Sequence, residues 1–515
     1  MKVRNSLGAL LMSMAILASA AACGPQKTPS SGETSGESTG TSLSTPPSDT
    51  ASEGGDSTDS TDESAAATTG SSNKPGVTNA SSKTTSGGSG SSGTSLLKGK
   101  TVKISSFYEI ATARGTSEAG DALLDRVTKV EKKYGCNVEF VVKGQTEYYR
   151  TLLNSCLAGT PHGDIIDVSH KFILDYARKG VLEPLNNYAA YKEMLGKQYS
   201  STAAAWMTFG GKTYGVCPQP LDIRNLILFN KRILKENGLP EPYALAKKGE
   251  WTWSKFTEYA KKCVRYNEDG YMTTYGFHGD VYTVIAQTIA SNNGEIIAPV
   301  NGKYTFLMDS VNSMEALNQV DKWMHVDKIL NTGRNAWDDS MKLFERGLVA
   351  FMMCPGIWVP NERFNTTMPN EDYGMIYYPK GPKANGYVVS ADGNGENYAI
   401  PTATKLDKNS LIRMFGEIMT GEHFDPKTDT EDVLRSKYEA CMRDEESMEV
   451  VLDIVKNNRF RDLPSSIFNL ESNPDESLRF LTFANDLGAA RGTPAQLVQQ
   501  LKKPMQTYLD DVYNK

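Results

Sequence analysis

The stretch YGVCPQPLDIRNLILFNKRILKENGLP, Tyr214 to Pro240, decides how the rest of the chain is read. Pro218 and Pro220 fix φ and cannot donate to a strand ladder, so a strand arriving from upstream is interrupted there. Apolar residues then dominate from Leu221 to Phe229, with Asp222, Arg224 and Asn225 set among them. Asn230 can cap a helix that Gly238 and Pro240 stop. A broken strand, polar side chains and a fresh strand-to-helix unit read as a crossing between two lobes, with a ligand beside it.

Outward from that crossing, the 515 residues divide by composition. Lys2 and Arg4, the apolar run Leu7 to Leu17 and the small residues Ala18 to Ala22 make residues 1–22 a cleaved export signal, its core too short for a stable membrane-spanning helix. The small residues before Cys23 resemble a bacterial lipoprotein signal, with Ala20 where leucine is usual, so Cys23 is the expected lipidation site. Residues 24–97 are dominated by Ser, Thr and Gly and cannot bury enough surface to offset the entropy of ordering them. They are expected to form a disordered tether with a reach on the order of 45–50 Å; a glycosylated stalk is the competing account. Eight acids and three lysines give this segment −5, and Lys2 with Arg4 give +2, so the whole-chain −6 leaves −3 for the remainder. That remainder has no electrostatic footprint for nucleic acid. The six cysteines after Cys23 are dispersed without a CxxC spacing and read as small buried thiols.

The folded part, residues 98–515, opens with a β-rich run from Lys100 to Phe107 that leads into Tyr108 and Glu109. Leu123, Leu124, Val127 and Val130 recur at helical spacing before Gly135, Val138 to Val142 is the next strand, and a second helical pattern runs from Tyr148 to Ala158. This β-α-β-α order predicts an α/β lobe with a largely parallel sheet. A buried strand from Asp164 to Val168 exits into Ser169, His170 and Lys171, where an open α/β sheet reads its ligand.

That strand after Gly-Asp, the Tyr-Ala pair followed by Gly180, and Pro184-Leu185 resemble the family 1 extracellular solute-binding proteins, the capture components of ABC importers. The resemblance continues in the family's order: Trp206, Gly211, Tyr214-Gly215 and Pro218; Phe229-Asn230-Lys231; TWSKFTEYAKK from Thr252; Tyr275-Gly276-Phe277; Asn292-Asn293-Gly294; and FERGLVAFMMCPGIW from Phe344 to Trp358. Tyr377 to Pro382, the return strand Asn394 to Pro401 and a last helix from Thr493 to Tyr513 complete it. The resemblance implies an α/β, two-lobed periplasmic-binding-protein type II fold whose discontinuous lobes are joined by a multi-segment hinge. One lobe would hold about 98–220 and 398–456, the other about 221–397 and 460–515, with crossings near Pro218 to Arg224, Gly393 to Tyr398 and Asn457 to Asp462. It implies a lipid-anchored monomer on the outer face of the cytoplasmic membrane that captures a carbohydrate for ABC permease subunits and performs no catalysis.

A sugar is polar at its edges and apolar on its ring faces, so its site needs an aromatic platform beside a few fixed polar groups. Trp358 is the platform candidate, against the alternative of a core tryptophan; Trp206, Tyr108 and Trp323 are weaker ones, and Trp251 and Trp253 are assigned to packing. Asp222 and Arg224 share one strand face and can bracket hydroxyls or pair with each other. His170 and Lys171 stand where the family's maltose-binding member contacts sugar, but Val168 replaces its tryptophan and Lys171 its acid, which admits an acidic sugar or another ligand class. Glu109 and Asn394 complete the candidate set. The run Asp392 to Asn397 reads as a tight turn rather than a calcium loop, because the downstream glutamate is missing. No HExxH or GxxxxGKS occurs, GxSxG occurs only as GESTG from Gly36 to Gly40 within the Ser/Thr/Gly-rich tether and without the strand and helix that a nucleophile elbow needs, and neither a metal nor a cofactor is expected. A surface glycan hydrolase or lyase, or the same fold binding a peptide or other small solute, are the alternatives.

Overall fold

Capping and turn signals set the first elements. The Ser117 side chain accepts from the Gly120 N–H at the start of one helix, and Gly135, at φ +65°, closes it with its N–H on the Glu131 carbonyl. Asn230 accepts from the Ile233 N–H and starts another. The computed structural model describes residues 96–515 except 219–220, 222, 332–335, 355, 357–363, 365–366, 369–370, 392–396, 440–441 and 462–474.

In chain order, the elements used below are β1 (Thr101–Ser106), α1 (Glu118–Tyr134), β2 (Asn137–Val142), α2 (Gln145–Leu157), β3 (Ile165–Asp167) and α3 (His170–Arg178). Then come β4 (Ile223–Arg224), β5 (Leu226–Asn230), α4 (Lys231–Glu236), α5 (Trp253–Cys263), β6 (Met272–His278), α6 (Val281–Ala290), β7 (Leu330–Asn331), α7 (Ala336–Glu345), β8 (Val349–Cys354) and β9 (Tyr373–Ile376). The remainder are β10 (Val389–Ala391), β11 (Tyr398–Ala399), α8 (Lys408–Met419), α9 (Asp429–Tyr438), α10 (Glu445–Lys456), β12 (Phe460–Arg461), α11 (Phe480–Gly488) and α12 (Pro494–Val512).

Two large sheets define two lobes. The first has the order β11-β3-β1-β2, with β1 parallel to β2 and β3 and with β11 antiparallel to β3. The second runs β7-β6-β8-β5-β9; β6, β7 and β8 are parallel, and β5 is antiparallel to both its neighbours. In each sheet the reversed strand is the one that follows a passage from the other lobe. A third, small sheet, β12-β10-β4, gathers segments that lie far apart in the chain. Between β4 and β5 the chain changes sheets at a single residue, the buried Asn225, held at φ +64°. Asparagine tolerates the left-handed region better than a branched or bulky residue. The reading of Leu221 to Phe229 as one apolar run is therefore refined: a kink divides it between two sheets.

The first lobe is corrected at its end. Helix α8 packs on α1, but α9 packs on α10 and α10 packs on β9 of the second sheet. Met448, Val451 and Ile454 of α10 are buried in the second lobe's core, the Met375 N–H donates to the Ser447 hydroxyl, and Lys231 and Tyr243 reach Asp444 at 2.7 and 2.8 Å. Residues 429–456 therefore belong with the second sheet. The third passage lies between α8 and α9 instead of near Asn457 to Asp462, where β12 is a strand of the small sheet. An amphipathic pattern says that a helix has a buried face, not which sheet that face covers. Cys136, Cys156, Cys217, Cys263 and Cys354 are buried free thiols.

Candidate functional site

The carboxyl ends of β1 and β3 lie side by side, because residues Ile104 and Ser105 pair with Ile165 and Ile166. Polar groups are carried into the interior there: Ser105, Ser106, Asp167 and Ser169 are all buried. Buried polar groups need partners. The Tyr148 hydroxyl supplies one, lying 2.9 Å from the Asp167 carbonyl, 3.1 Å from the Ser105 carbonyl and 3.2 Å from the Ser105 hydroxyl. Ser106 donates to the Tyr108 carbonyl, and the Tyr108 and Tyr398 hydroxyls bond each other, which joins the exit of β1 to the start of β11.

Around these groups stands a ledge of part-exposed rings. Phe107 lies 5.0 Å from Tyr108 and 5.3 Å from Tyr149, centroid to centroid; Tyr149 lies 5.4 Å from Phe172, in the first turn of α3. Tyr149 also meets Tyr148 edge-on at 5.4 Å. Burial first, and then the charge of Asp167, push the Tyr149 phenol far above its ordinary range, so its hydroxyl keeps its proton.

The sequence candidates distribute as follows. Tyr108 and Glu109 follow β1, half-buried and exposed respectively, and His170 and Lys171 open α3 after β3, so the structure brings these four positions to one sheet edge. Arg224 is half-buried in β4, opposite Ser390 of β10. Trp206 ends the short helix Ser201–Trp206 and is packed against the core while half-buried. Asp222, Trp358, Asn394 and Cys23 lie outside the described residues, as do the side chains of His170 and Lys171. Trp323 is corrected: it is fully buried, with Nε1 donating to the Thr257 hydroxyl at 2.7 Å, and is core rather than platform. Trp251 and Trp253 are buried as well. Phe107, Tyr149 and Phe172, which line this edge, are not among the sequence candidates; the one signal for them is the density of aromatic residues in FY, YY and KF beside the strand exits.

The small sheet is fastened to the second lobe. Gln287 of α6 is fully buried; its amide donates to the Val388 carbonyl at 2.9 Å and its oxygen accepts from the Ser390 hydroxyl at 2.8 Å. Arg461 of β12 bonds Glu295 at 3.2 Å and Asn293 at 3.4 Å, and the Asn225 N–H donates to the Cys354 carbonyl at 2.9 Å. At the end of β6, His278 bonds the Ser340 hydroxyl at 2.6 Å; burial lowers its pKa to about 4 against the opposing charge of Asp339. Among the described residues no cluster of His, Cys, Asp and Glu could hold a metal ion, and no helix is long and apolar enough to cross a membrane.

A family profile described as bacterial extracellular solute-binding protein matches residues 113–413, more than half of the chain. The chain belongs to this family. The solute-binding protein returned no match among curated proteins. Its fold is shared with an ABC substrate-binding protein from Listeria monocytogenes in complex with cycloalternan, at a TM-score of 0.55 and 16% identity over 80% of this chain and 99% of that one. A cyclo/maltodextrin-binding protein complexed with maltotetraose aligns at 0.57 and 15% identity, covering 79% and 97%. UgpB from Mycobacterium tuberculosis in complex with glycerophosphocholine aligns at 0.56 and 17% identity, covering 80% and 98%. The solute-binding protein thus has the two-lobed type II α/β fold, with discontinuous lobes.

Proposed function

We propose that this solute-binding protein captures a carbohydrate, an oligosaccharide in the first instance, between its lobes and delivers it to the permease of an ABC importer. In this reading it is exported, is held to the outer face of the membrane by lipid on Cys23 and the tether of residues 24–97, acts as a monomer and catalyses nothing. The observation that carries the ligand class is the ledge of Phe107, Tyr108, Tyr149 and Phe172 above buried hydroxyls at the strand exits. Aromatic faces beside fixed polar groups suit the two surfaces of a sugar ring. Tyr108, Glu109, His170 and Lys171 would contact the ligand from the first lobe, and Trp358, Asp222, Arg224, Trp206 and Asn394 would complete the cleft. The fold shared with cycloalternan- and maltotetraose-bound proteins supports a glycan; the glycerophosphocholine complex keeps another small solute as the second reading.

Closure would carry the small sheet with the second lobe, to which Gln287 and Arg461 fasten it, so bending falls on its links to the first lobe. The ligand must bind the closed form better than the open one. Titration calorimetry of the full chain against a glycan panel, with X-ray scattering of the free and bound forms, tests this. Saturable binding with a smaller radius is the expected result. Binding without compaction overturns the hinge, and turnover of a polysaccharide that one carboxylate substitution abolishes would make the protein an enzyme. Trp358→Ala is expected to weaken binding while leaving the protein folded.

A further inference from the structure

Tyr148 and Tyr149 are adjacent on α2, and their hydroxyls stand in opposite circumstances. The first is saturated by Ser105 and Asp167. The second is shielded from solvent and has no hydrogen-bond partner among the described residues. A native protein seldom leaves a buried hydroxyl unbonded, since the lost hydration has no return. This hydroxyl also lies on the side of the sheet that reads the ligand, for its ring is wedged between Phe107, just beyond β1, and Phe172, just beyond β3.

We propose that Tyr149 is a specificity-determining residue whose hydroxyl donates to a ring or hydroxyl oxygen of a sugar unit seated on the Phe107–Phe172 ledge. The inference rests on the carbohydrate reading above and deepens it by naming the group that reads the sugar at this edge. The raised pKa of the phenol keeps it a donor.

The test compares Tyr149→Phe with Tyr148→Phe in the full chain, by thermal unfolding without ligand and by calorimetry with a neutral malto-oligosaccharide series. Tyr149→Phe removes an unbonded hydroxyl, so the free protein is expected to unfold at the same temperature or higher, while affinity for the neutral sugar falls about five- to tenfold. Tyr148→Phe is expected to lower the unfolding temperature of the free protein. A Tyr149→Phe protein that binds the neutral sugar as the wild type does, or that is destabilised when free, overturns the inference. Failure of the wild type to bind any sugar overturns the carbohydrate reading itself, and this inference with it.

Discussion

The two large sheets solve different problems. In the second, every residue of β5, β8 and β9 is buried. In the first, β2 alternates between half-buried and exposed positions, and β1 and β3 carry Ser105, Ser106 and Asp167 inside. Apolar burial is non-directional, and a sheet saturated with it makes a firm body. A buried hydroxyl or carboxylate tolerates few geometries, so the first sheet fixes its carboxyl edge through directed bonds. The second sheet is therefore held chiefly by apolar packing, whereas the first devotes part of its interior to polar groups that fix its carboxyl edge.

The sharpest way to break this contrast is to open the scaffold. Trp251 is fully buried, meets Phe256, Tyr259 and Phe351, and donates from Nε1 to the Tyr377 carbonyl at 3.0 Å. Trp251→Ala should cost about 3–5 kcal/mol in urea unfolding. A loss below about 1 kcal/mol would mean that the second lobe is not close-packed as described.

The next effect is pH-dependent and also belongs to the second lobe. The folded pKa of His278, about 4, lies below its unfolded value of 6.5, so the unfolded chain takes up the proton first as pH falls. Stability should be complete above pH 6.5 and decline toward pH 4, by about 3 kcal/mol at most for this group. Urea midpoints across that range should show the decline, and His278→Gln should flatten it; an unchanged slope in the variant would assign the decline to other groups.

In the first lobe, Tyr148→Phe leaves the ring in place but deprives the Ser105 and Asp167 carbonyls of a donor, with an expected loss of about 1–3 kcal/mol. A loss exceeding that of Trp251→Ala would reverse the ranking of the two sheets. The smallest effect is expected for Arg461→Met. The Arg461 and Glu295 side chains are 37% and 34% exposed, so the pair should contribute about 0–1 kcal/mol to stability. A larger change on urea unfolding would show that the small sheet depends on this ion pair rather than on Gln287.

Much of the local framework is legible in the residues. Gly135 ends α1, Asn230 begins α4, and the strand-helix alternation of the first lobe follows from periodicity, because these depend on neighbours within a turn or two. The site was legible only as a location. The strand exits could be placed, and with them Tyr108, Glu109, His170 and Lys171, but Tyr149 on α2 gives no sign that its hydroxyl differs from that of Tyr148. Its partners, or lack of them, depend on Phe107 and Phe172, which reach it through the pairing of β1 with β3.

The composition break before residue 98, the α/β alternation, the helix ends and the ordered motifs of a solute-binding family are all written in the order of the residues. Only the tertiary structure decided that Asn225 switches sheets, that α10 covers β9, and that residues 223–224, 389–391 and 460–461 meet in one sheet. The reason is physical: a capping bond or a helical stripe is satisfied by nearby residues, whereas a strand edge or a buried face is indifferent to chain distance and takes whichever complementary surface the completed fold presents.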